Sequence, residues 1–210
     1  MKICCISDLH GDTIDIQKCD VLIIAGDVCP VTNHAVSYQL RWLDQVFSPW
    51  LASIDAENIV GIAGNHDFVF EEYRGDKIGI PWIYLNQTGT TIGGLKIYGH
   101  PYTPAFCNWA FMDGDLDAIS RAIPIDTNIL VTHGPPLGLM DKAHGENVGC
   151  KHLKDRLDKI PQSPLLHVFG HIHEGYGIKE GKCISVNASV KDGTYRLVND
   201  PIVVNLQEGV

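Results

Sequence analysis

Short runs of apolar residues, each followed by a polar cluster, recur along the chain and predict buried β-strands. Five of these runs carry polar or charged side chains directly after them, at 2–6, 21–25, 59–63, 129–132 and 165–169. Apolar runs of this length without alternating polar positions are typical of strands that are covered on both faces. The pattern therefore predicts a buried sheet core that delivers polar residues at the carboxyl ends of its strands.

Segments with helical spacing lie between these strands, at 34–47, 115–122 and 150–159. Because alternation of strand and helix is typical of βαβ units, we expect the five strands to form a parallel core. Glycine-rich turns separate further short strands, which are predicted at 82–85, 95–98, 176–186 and 202–206. These later strands predict a second sheet with more antiparallel pairing.

The chain has 210 residues, 45% of them hydrophobic and 20% charged, which fits one folded domain spanning 1–210. No run approaches the roughly 20 apolar residues of a membrane span, and the first apolar run lacks the basic start and apolar core expected of a secretory leader. Seven cysteines without a Cys-x-x-Cys pair favour reduced thiols and a cytoplasmic protein. The net charge of −9 offers no basic surface, so we expect neither duplex nucleic acid nor a membrane as partner.

The residues at the carboxyl ends of the five buried strands are almost all potential metal ligands. They are Asp8, His10, Asp27, Asn65, His66, His133, His171 and His173. Carboxylate, imidazole and amide ligands together suit manganese, iron or zinc better than calcium. A single small cation needs fewer ligands than this, so the set predicts two divalent ions that share one carboxylate.

Each of these motifs taken alone has a simpler explanation. Asp8 and His10 after a strand, or the GNHD segment at 64–67, are also typical of turns. His171 and His173 alternate along an extended segment, which would place both rings on one face. We predict a metal site because potential ligands follow five strands in succession, which independent turns would rarely produce.

Five ordered motifs resemble the signature of the calcineurin-like metallophosphoesterase superfamily: DLH at 8–10, GD at 26–27, GNHD at 64–67, THG at 132–134 and GHIH at 170–173. Longer segments resemble the metallophosphoesterase-domain proteins described in vertebrate brain and their bacterial and phage relatives: IYGHPYTP, LVTHGPP, HVFGHIHEGYG, VNASV and NDPIVVNL. The similarity spans nearly the whole chain. It implies an α/β fold, a four-layer α/β/β/α sandwich with two stacked mixed β-sheets.

The resemblance also implies a role for each residue of the set. One metal ion would be held by Asp8, His10, Asp27 and His173, and the other by Asp27, Asn65, His133 and His171. Asp27 would bridge the ions, and a hydroxide between them would be the nucleophile. His66 would donate a proton to the departing oxygen without binding metal, and His66 and Asn65 would contact the substrate. Manganese is the expected ion, with iron, zinc, nickel and magnesium as alternatives.

One departure from the superfamily's phosphoprotein phosphatases concerns the loop after Asp27. Those enzymes carry an Asp-Arg pair that grips the phosphate dianion, whereas this chain continues with VCPV at 28–31. A phosphodiester bears one negative charge and needs such a clamp less, so we expect a phosphodiesterase. The brain-type resemblance favours a small-molecule substrate such as a 2′,3′- or 3′,5′-cyclic nucleotide. A phosphomonoesterase, a nuclease and a catalytically quiet phosphate-recognition module remain alternatives.

Several other polar residues are candidates of lower rank. His100 is a candidate substrate contact, and other residues expected either in the same pocket or on the loop surface are Tyr102, Asp141, His144 and Cys150. His167 lies inside a predicted strand and is expected to be a hydrogen-bonded core residue. Asn187 follows a predicted strand and is a candidate partner of a metal ligand.

Overall fold

The computed structural model describes residues 1–73, 78–112, 114–161 and 164–206. The strands are β1 Lys2–Ile6, β2 Cys19–Ala25, β3 Ala56–Ile62, β4 Ile83–Tyr84, β5 Thr88–Ile92, β6 Leu95–His100, β7 Ile129–Thr132, β8 Lys142–Ala143, β9 Glu146–Asn147, β10 Leu166–Phe169, β11 Gly177–Lys179, β12 Ile184–Asn187 and β13 Ile202–Asn205. The helices are α1 Val36–Trp42, a π-helical segment Leu43–Phe47, α2 Ser48–Ser53, α3 Phe68–Glu72, α4 Leu116–Ala122, α5 Lys151–Leu157 and a 3₁₀ turn His173–Gly175. Within these ranges no helix is long and apolar enough to cross a membrane.

The first large sheet has the strand order β13-β1-β2-β3-β4. Strands β1 to β4 run parallel, and β13 pairs antiparallel with β1 at the edge. Parallel neighbours cannot be joined by a hairpin and need a crossover connection. Helices α1 and α2, with the π-helical segment between them, provide that crossover from β2 to β3.

The second large sheet has the strand order β11-β12-β10-β7-β6-β5. Its four central strands run parallel, and the edge strands β11 and β5 pair antiparallel with their neighbours. Both sheets are therefore mixed, which confirms the predicted α/β class.

An apolar layer fills the space between the two sheets. Ile3 and Cys5 of β1 face this layer from the first sheet, and Val131 and Val168 face it from the second. All four side chains are fully buried. Because side chains alternate along a strand, the residues between them face the opposite side of each sheet.

Helices cover those outer faces. On the first sheet, Ile6 packs in one cluster with Phe47 and Leu51 of the helical crossover. On the second sheet, Leu130 packs with Leu153 of α5. Full burial of a side chain of this size contributes about 1.5–3 kcal/mol. The layer order is helix, sheet, sheet, helix, which confirms the predicted four-layer sandwich.

The five buried strands do not form one parallel core, contrary to the expectation from the sequence. Strands β1, β2 and β3 lie in the first sheet, whereas β7 and β10 lie in the second. Conversely, the strands predicted at 82–85 and 202–206 join the first sheet as β4 and β13. Apolar runs identify buried strands, but the partners of each strand depend on where the crossovers lead the chain. The second sheet is accordingly more parallel than predicted.

Several element boundaries also differ from the prediction. The strand predicted at 176–186 is two antiparallel strands, β11 and β12, joined by a turn. The helix predicted at 34–47 begins at Val36 and continues through α2 to Ser53. Strand β5 is absent from the predicted set because it is an edge strand with partly exposed threonines and no apolar run.

Candidate metal centre

The carboxyl ends of the two sheets meet at one edge, where the loops after β1, β2, β3, β7 and β10 approach one another. Backbone hydrogen bonds join these loops within each sheet, from Asp8 N to Gly26 O at 3.0 Å and from Gly170 N to His133 O at 2.8 Å. Across the sheets, the backbone N–H of His171 donates to the Asp8 carboxylate at 3.0 Å. The potential ligands of both sheets therefore share one site.

Four of these residues have a backbone conformation that side chains disfavour. The φ angles are 59° at Asp8, 46° at His10, 52° at Asp27 and 68° at His171. Left-handed backbone is uncommon for residues other than glycine and clusters at functional sites. The loops turn sharply at these positions, which directs several potential ligands into one small volume.

The first group of donor atoms comes from Asp8, His10 and His173. The Nε2 atoms of the two histidines lie 3.4 Å apart. Asp8 Oδ1 lies 3.4 Å from Nε2 of His173 and 3.8 Å from Nε2 of His10. Nδ1 of His173 donates to the carbonyl oxygen of Asp192 at 2.8 Å, which leaves Nε2 free to bind a cation.

The second group comes from Asp27, Asn65 and His133. Nε2 of His133 lies 3.3 Å from Asp27 Oδ2 and 2.9 Å from Asn65 Oδ1. Nδ1 of His133 donates to Ala25 O at 2.9 Å, so Nε2 is again the nitrogen available for a cation. The ring of His171 lies 5.0 Å from that of His133.

Asp27 lies between the two groups. Besides its approach to His133, Oδ2 of Asp27 lies 3.7 Å from Nε2 of His10, which belongs to the first group. Oδ1 of Asp27 accepts a hydrogen bond from the backbone N–H of His66 at 2.7 Å. This is the position expected of a carboxylate that two ions share.

The site carries buried negative charge that needs compensation. Asp8 is 0% exposed and Asp27 is 2% exposed. In the part of the chain that the structure describes, neither carboxylate forms an ion pair with lysine or arginine. Buried charges are paired or coordinate metals, because an isolated charge away from water is strongly unfavourable.

The pKa values of two histidines reflect the same charge. Burial alone would lower the pKa of His133, but the charge and hydrogen bond of Asp27 outweigh this and raise it to about 9. Burial acts in the same direction on His173, and its hydrogen bond and attraction to Asp8 raise the pKa to about 9. The site therefore attracts positive charge, which divalent cations would supply.

The donor set fits divalent cations by its chemistry. Within each of three groups the donor atoms lie within 4.8 Å of one another: Asp8 with His10 and His173, Asp8 with Asp27 and His133, and His10 with Asp27 and His66. Mixed oxygen and nitrogen donors of this kind suit first-row transition metals. These three groups contain five of the seven predicted ligands, and they also contain His66. Asn65 joins them through its contact with His133, and His171 through its ring contact with His133.

The backbone of His66 is held on both sides. Its N–H donates to Asp27, and its carbonyl oxygen accepts from Nε2 of Gln39 at 2.7 Å. Its ring is hydrogen-bonded through Nδ1 to Nε2 of His34 at 3.2 Å and packs 4.3 Å from the ring of Trp109. The side chain of His66 is therefore held in place beside His10 and Asp27.

Asp67, the last residue of the GNHD motif, joins two loops of the site. Its buried carboxylate accepts backbone hydrogen bonds from Val28 at 3.2 Å, Cys29 at 2.8 Å and Gly64 at 2.8 Å. Burial, and then the charge of Asp27, raise the pKa of Asp67 to about 6. Asp67 thus fixes the loop after β2 against the loop after β3.

Replacement of Gln39 by methionine is expected to destabilise the fold by about 2–6 kcal/mol. Gln39 is fully buried, and besides donating to His66 it accepts from the backbone N–H of Val69 at 3.0 Å. Methionine keeps the volume but leaves two buried polar groups unpaired, at about 1–3 kcal/mol each. Urea unfolding measures the difference. Gln17→Met is the control, because Gln17 is exposed and its side chain accepts an exposed hydrogen bond from Lys2. Equal losses in both variants would contradict this role of Gln39.

A cleft of about 720 Å³ opens over the cluster. Phe106 and Trp109 form part of its wall, and Phe106 is 69% exposed. Glu146 and Glu174 also line it. The cleft combines a cation-attracting floor with partly apolar walls, as small-molecule sites commonly do.

Two of the lower-ranked pocket candidates lie outside this cleft. His100 ends β6 and is 2% exposed, and alternation places its side chain with Tyr98 on the helix-covered face of the second sheet. A direct substrate contact by His100 is therefore not supported by its position. Tyr102 packs edge-to-face against Phe111 at 5.6 Å. His144, in contrast, does line the cleft.

Two further pocket candidates shape the loop that follows β7. The Asp141 carboxylate accepts from the backbone N–H groups of Gly138 at 2.8 Å and Gly149 at 2.9 Å. Cys150 is buried and caps α5, accepting a hydrogen bond from the backbone of Leu153. Both residues hold loop structure, and neither lines the cleft.

His167 and Asn187 occupy the structural positions expected of them. His167 is buried and hydrogen-bonded through Nε2 to the Thr132 hydroxyl at 2.8 Å. Asn187 donates to the backbone carbonyl of Ile172 at 2.8 Å, between the two histidines of the GHIH motif. Asn187 thus supports the backbone of that motif and does not contact a ligand side chain through this bond.

Tyr195 also belongs to the site, although nothing in the sequence pattern singles it out. Its ring lies 4.9 Å from that of His10 and 5.6 Å from that of His173. The Asp192 carboxylate shapes this loop by accepting from Thr194 and Arg196. An irregular loop has no periodicity, so the sequence offers no signal for this residue.

His34 and Gln39 also contact His66 without a signal in the sequence. His34 precedes α1 and Gln39 lies within it, and polar residues are ordinary at both kinds of position.

Comparison with known proteins agrees with the geometry. The model of the calcineurin-like phosphoesterase family matches residues 1–175. Metallophosphoesterase domain-containing protein 1 of Homo sapiens is 37% identical over 235 aligned residues, covering 96% of this chain and 70% of the relative. The Mus musculus protein of the same name gives the same values. The chain belongs to the calcineurin-like phosphoesterase family and resembles its metallophosphoesterase-domain branch.

A solved structure supports the fold assignment. The phosphopantetheinyl hydrolase of Mycobacterium tuberculosis superposes with a TM-score of 0.58 at 15% identity, covering 92% of this chain and 90% of that one. At this identity the likeness concerns the fold alone. Together, the family and the donor cluster identify a metal-dependent phosphoester hydrolase.

Proposed function

We propose that this protein is a metal-dependent phosphodiesterase that hydrolyses a small, singly charged diester such as a 2′,3′- or 3′,5′-cyclic nucleotide. The observation that carries the proposal is the charge of the cleft. Among the described residues that line it, none is lysine or arginine, and two are glutamates, Glu146 and Glu174. A monoester dianion would gain from a guanidinium clamp, whereas a diester monoanion would need only the divalent ions that the donor cluster would hold.

The loop after Asp27 supports the same preference. The backbone N–H groups of Val28 and Cys29 are engaged by Asp67 and are not available to a substrate. A side chain at Gly11 would clash with Pro30, so the two loops are closely packed here. The segment serves the packing of the site, and its VCPV side chains include no cation that could grip phosphate.

The cleft volume supports a small molecule. Pockets for drug-sized ligands span about 300–1,000 Å³, and about 720 Å³ lies within that range. The net charge of −9 disfavours duplex nucleic acid as substrate. The cysteines of the chain are all free thiols, which supports a reducing, cytoplasmic location.

The residues of the site would have two roles in hydrolysis, metal binding and proton donation. The ions would be held by Asp8, His10, Asp27, Asn65, His133, His171 and His173, and we propose manganese in the cell. When bound, divalent ions would lower the pKa of a coordinated water molecule and provide positive charge opposite the phosphate group. As the bond from phosphorus to the leaving oxygen breaks, His66 donates a proton to that oxygen. Trp109 packs on the ring of His66 and limits its access to water.

A direct comparison of substrates tests the proposed preference. In the presence of Mn²⁺, kcat/KM for bis(4-nitrophenyl) phosphate should exceed that for 4-nitrophenyl phosphate by at least about tenfold. The two substrates share a leaving group, so the ratio reports the charge of the phosphate group. Faster hydrolysis of the monoester would show that the protein is a phosphomonoesterase.

A second panel identifies the natural substrate class. We expect turnover of 2′,3′- or 3′,5′-cyclic mononucleotides, measured by chromatography of the products. Single-stranded RNA of mixed sequence is the competing substrate. Preferential cleavage of the RNA would indicate a nuclease and contradict the small-molecule assignment.

A further inference from the structure

We propose that His34 is a positioning residue for His66: its Nε2 accepts a hydrogen bond from Nδ1–H of His66 and so assigns the chemistry to Nε2 of His66. The proposal deepens the function proposed above, in which His66 donates a proton to the leaving oxygen. The observation behind it is the 3.2 Å approach between Nε2 of His34 and Nδ1 of His66.

His66 needs such a partner because its backbone contacts do not fix its ring. Asp27 and Gln39 hold the N–H and the carbonyl group of His66. The two side-chain torsions remain free of those bonds. The hydrogen bond to His34 and the ring of Trp109 at 4.3 Å constrain the side chain. Of these two contacts, only the one with His34 distinguishes the ring nitrogens.

The surroundings of His34 hold it in place for this role. Its ring lies 5.0 Å from that of Trp109, edge to face, and 5.4 Å from that of Phe68. Directly after it, the backbone N–H of Ala35 donates to the Asn33 side chain at 2.9 Å, which fixes the turn into α1. His34 thus belongs to the loop between β2 and α1, and this loop contacts the ring of His66.

The proton balance of the step is complete with these two rings. In the proposed step His66 carries a proton on both nitrogens, with Nδ1–H donated to His34. Burial lowers the pKa of the His66 ring, so the charged form depends on the negative charge of the bound phosphate group. As the bond from phosphorus to the leaving oxygen breaks, the proton on Nε2 of His66 moves to that oxygen. His66 is left neutral with its proton on Nδ1, still donated to His34, and Nε2 regains a proton from solvent. His34 stays neutral throughout.

The tautomer of His66 is the direct test. Long-range ¹H–¹⁵N spectra of the full chain, recorded with diamagnetic Zn²⁺ and again without added metal, should place the proton of neutral His66 on Nδ1. In His34→Ala the proton should move towards Nε2, the nitrogen that carries it preferentially in free histidine. In His34→Gln the amide oxygen can accept in place of Nε2, so Nδ1–H should be retained. An unchanged tautomer in His34→Ala would overturn the proposal.

Kinetics provide the second readout. General acid catalysis contributes about 10²–10⁴-fold, and a misoriented His66 ring should lose part of that factor. We expect that loss in His34→Ala on a cyclic nucleotide, little loss on bis(4-nitrophenyl) phosphate, and recovery in His34→Gln. His152→Ala, which removes an exposed histidine of α5, is the matched control and should be unchanged. Equal losses on both substrates would mean that His34 only supports the fold.

The two proposals can fail separately. A wild-type protein that hydrolyses monoesters but no diester would refute the phosphodiesterase assignment. The spectra would still decide the role of His34, because they need no turnover.

Discussion

Replacement of Asp27 by alanine is expected to lower kcat/KM for a phosphodiester more than about 100-fold and to reduce the content of bound metal at both positions. Loss of an outer-sphere partner of a metal ligand already costs about 10- to 100-fold, and Asp27 is a direct ligand candidate between both donor groups. Elemental analysis of the purified variant after equilibration with Mn²⁺ measures the ions retained.

Two control variants make this result specific to the bridging position. His10→Ala removes one donor of the first group and should weaken one ion selectively. Asp126→Ala removes an exposed carboxylate that pairs with Lys96 and should change neither metal content nor activity. An Asp27→Ala protein that retains two ions per chain would contradict the shared position of Asp27.

Replacement of His66 by alanine is expected to separate proton donation from metal binding. General acid catalysis typically contributes about 10²–10⁴-fold, but only where the leaving oxygen needs a proton to depart. The variant should lose that factor on a cyclic nucleotide, whose leaving group is a ribose hydroxyl, and much less on bis(4-nitrophenyl) phosphate. Steady-state kinetics on both substrates and elemental analysis measure the two effects.

His171→Ala is the comparison for this variant. Removal of a ligand weakens the metal site itself, so both substrates should suffer alike until added Mn²⁺ compensates. Equal losses on the two substrates for His66→Ala, together with a lost ion, would show that His66 is a metal ligand. The geometry allows that outcome, because a ring nitrogen of His66 lies within 4.8 Å of donor atoms of His10 and Asp27.

The fold could be predicted as far as local pattern determines it. Apolar runs located the strands whose ends carry the ligands, because burial on both faces leaves a clear signal. The local sequence pattern does not predict which sheet each strand joins. Strand β7 has the same apolar pattern as β2, yet it lies in the other sheet. Family resemblance supplied the four-layer order, which periodicity alone does not contain.

The metal-ligand candidates could be predicted better than the residues that hold them in place. Asp8, Asp27 and His133 directly follow strands, and the carboxyl ends of these strands meet at one edge, so the three side chains are expected to lie close together. Gln39 and His34 act through contacts between a helical crossover and the GNHD loop, which only the packed structure reveals. Their residue types are ordinary for a helix and for the turn before it.

Chelation and metal restoration test most directly whether phosphoester hydrolysis depends on divalent ions held by this cluster. The protein is dialysed against a chelator, then assayed with bis(4-nitrophenyl) phosphate while Mn²⁺ or Ca²⁺ is titrated back and binding is followed by calorimetry. We expect no turnover in metal-free buffer, restoration as Mn²⁺ binds at two sites per chain, and poor restoration by Ca²⁺, because nitrogen donors disfavour Ca²⁺. Full turnover in metal-free buffer would show that hydrolysis does not depend on ions held by this cluster.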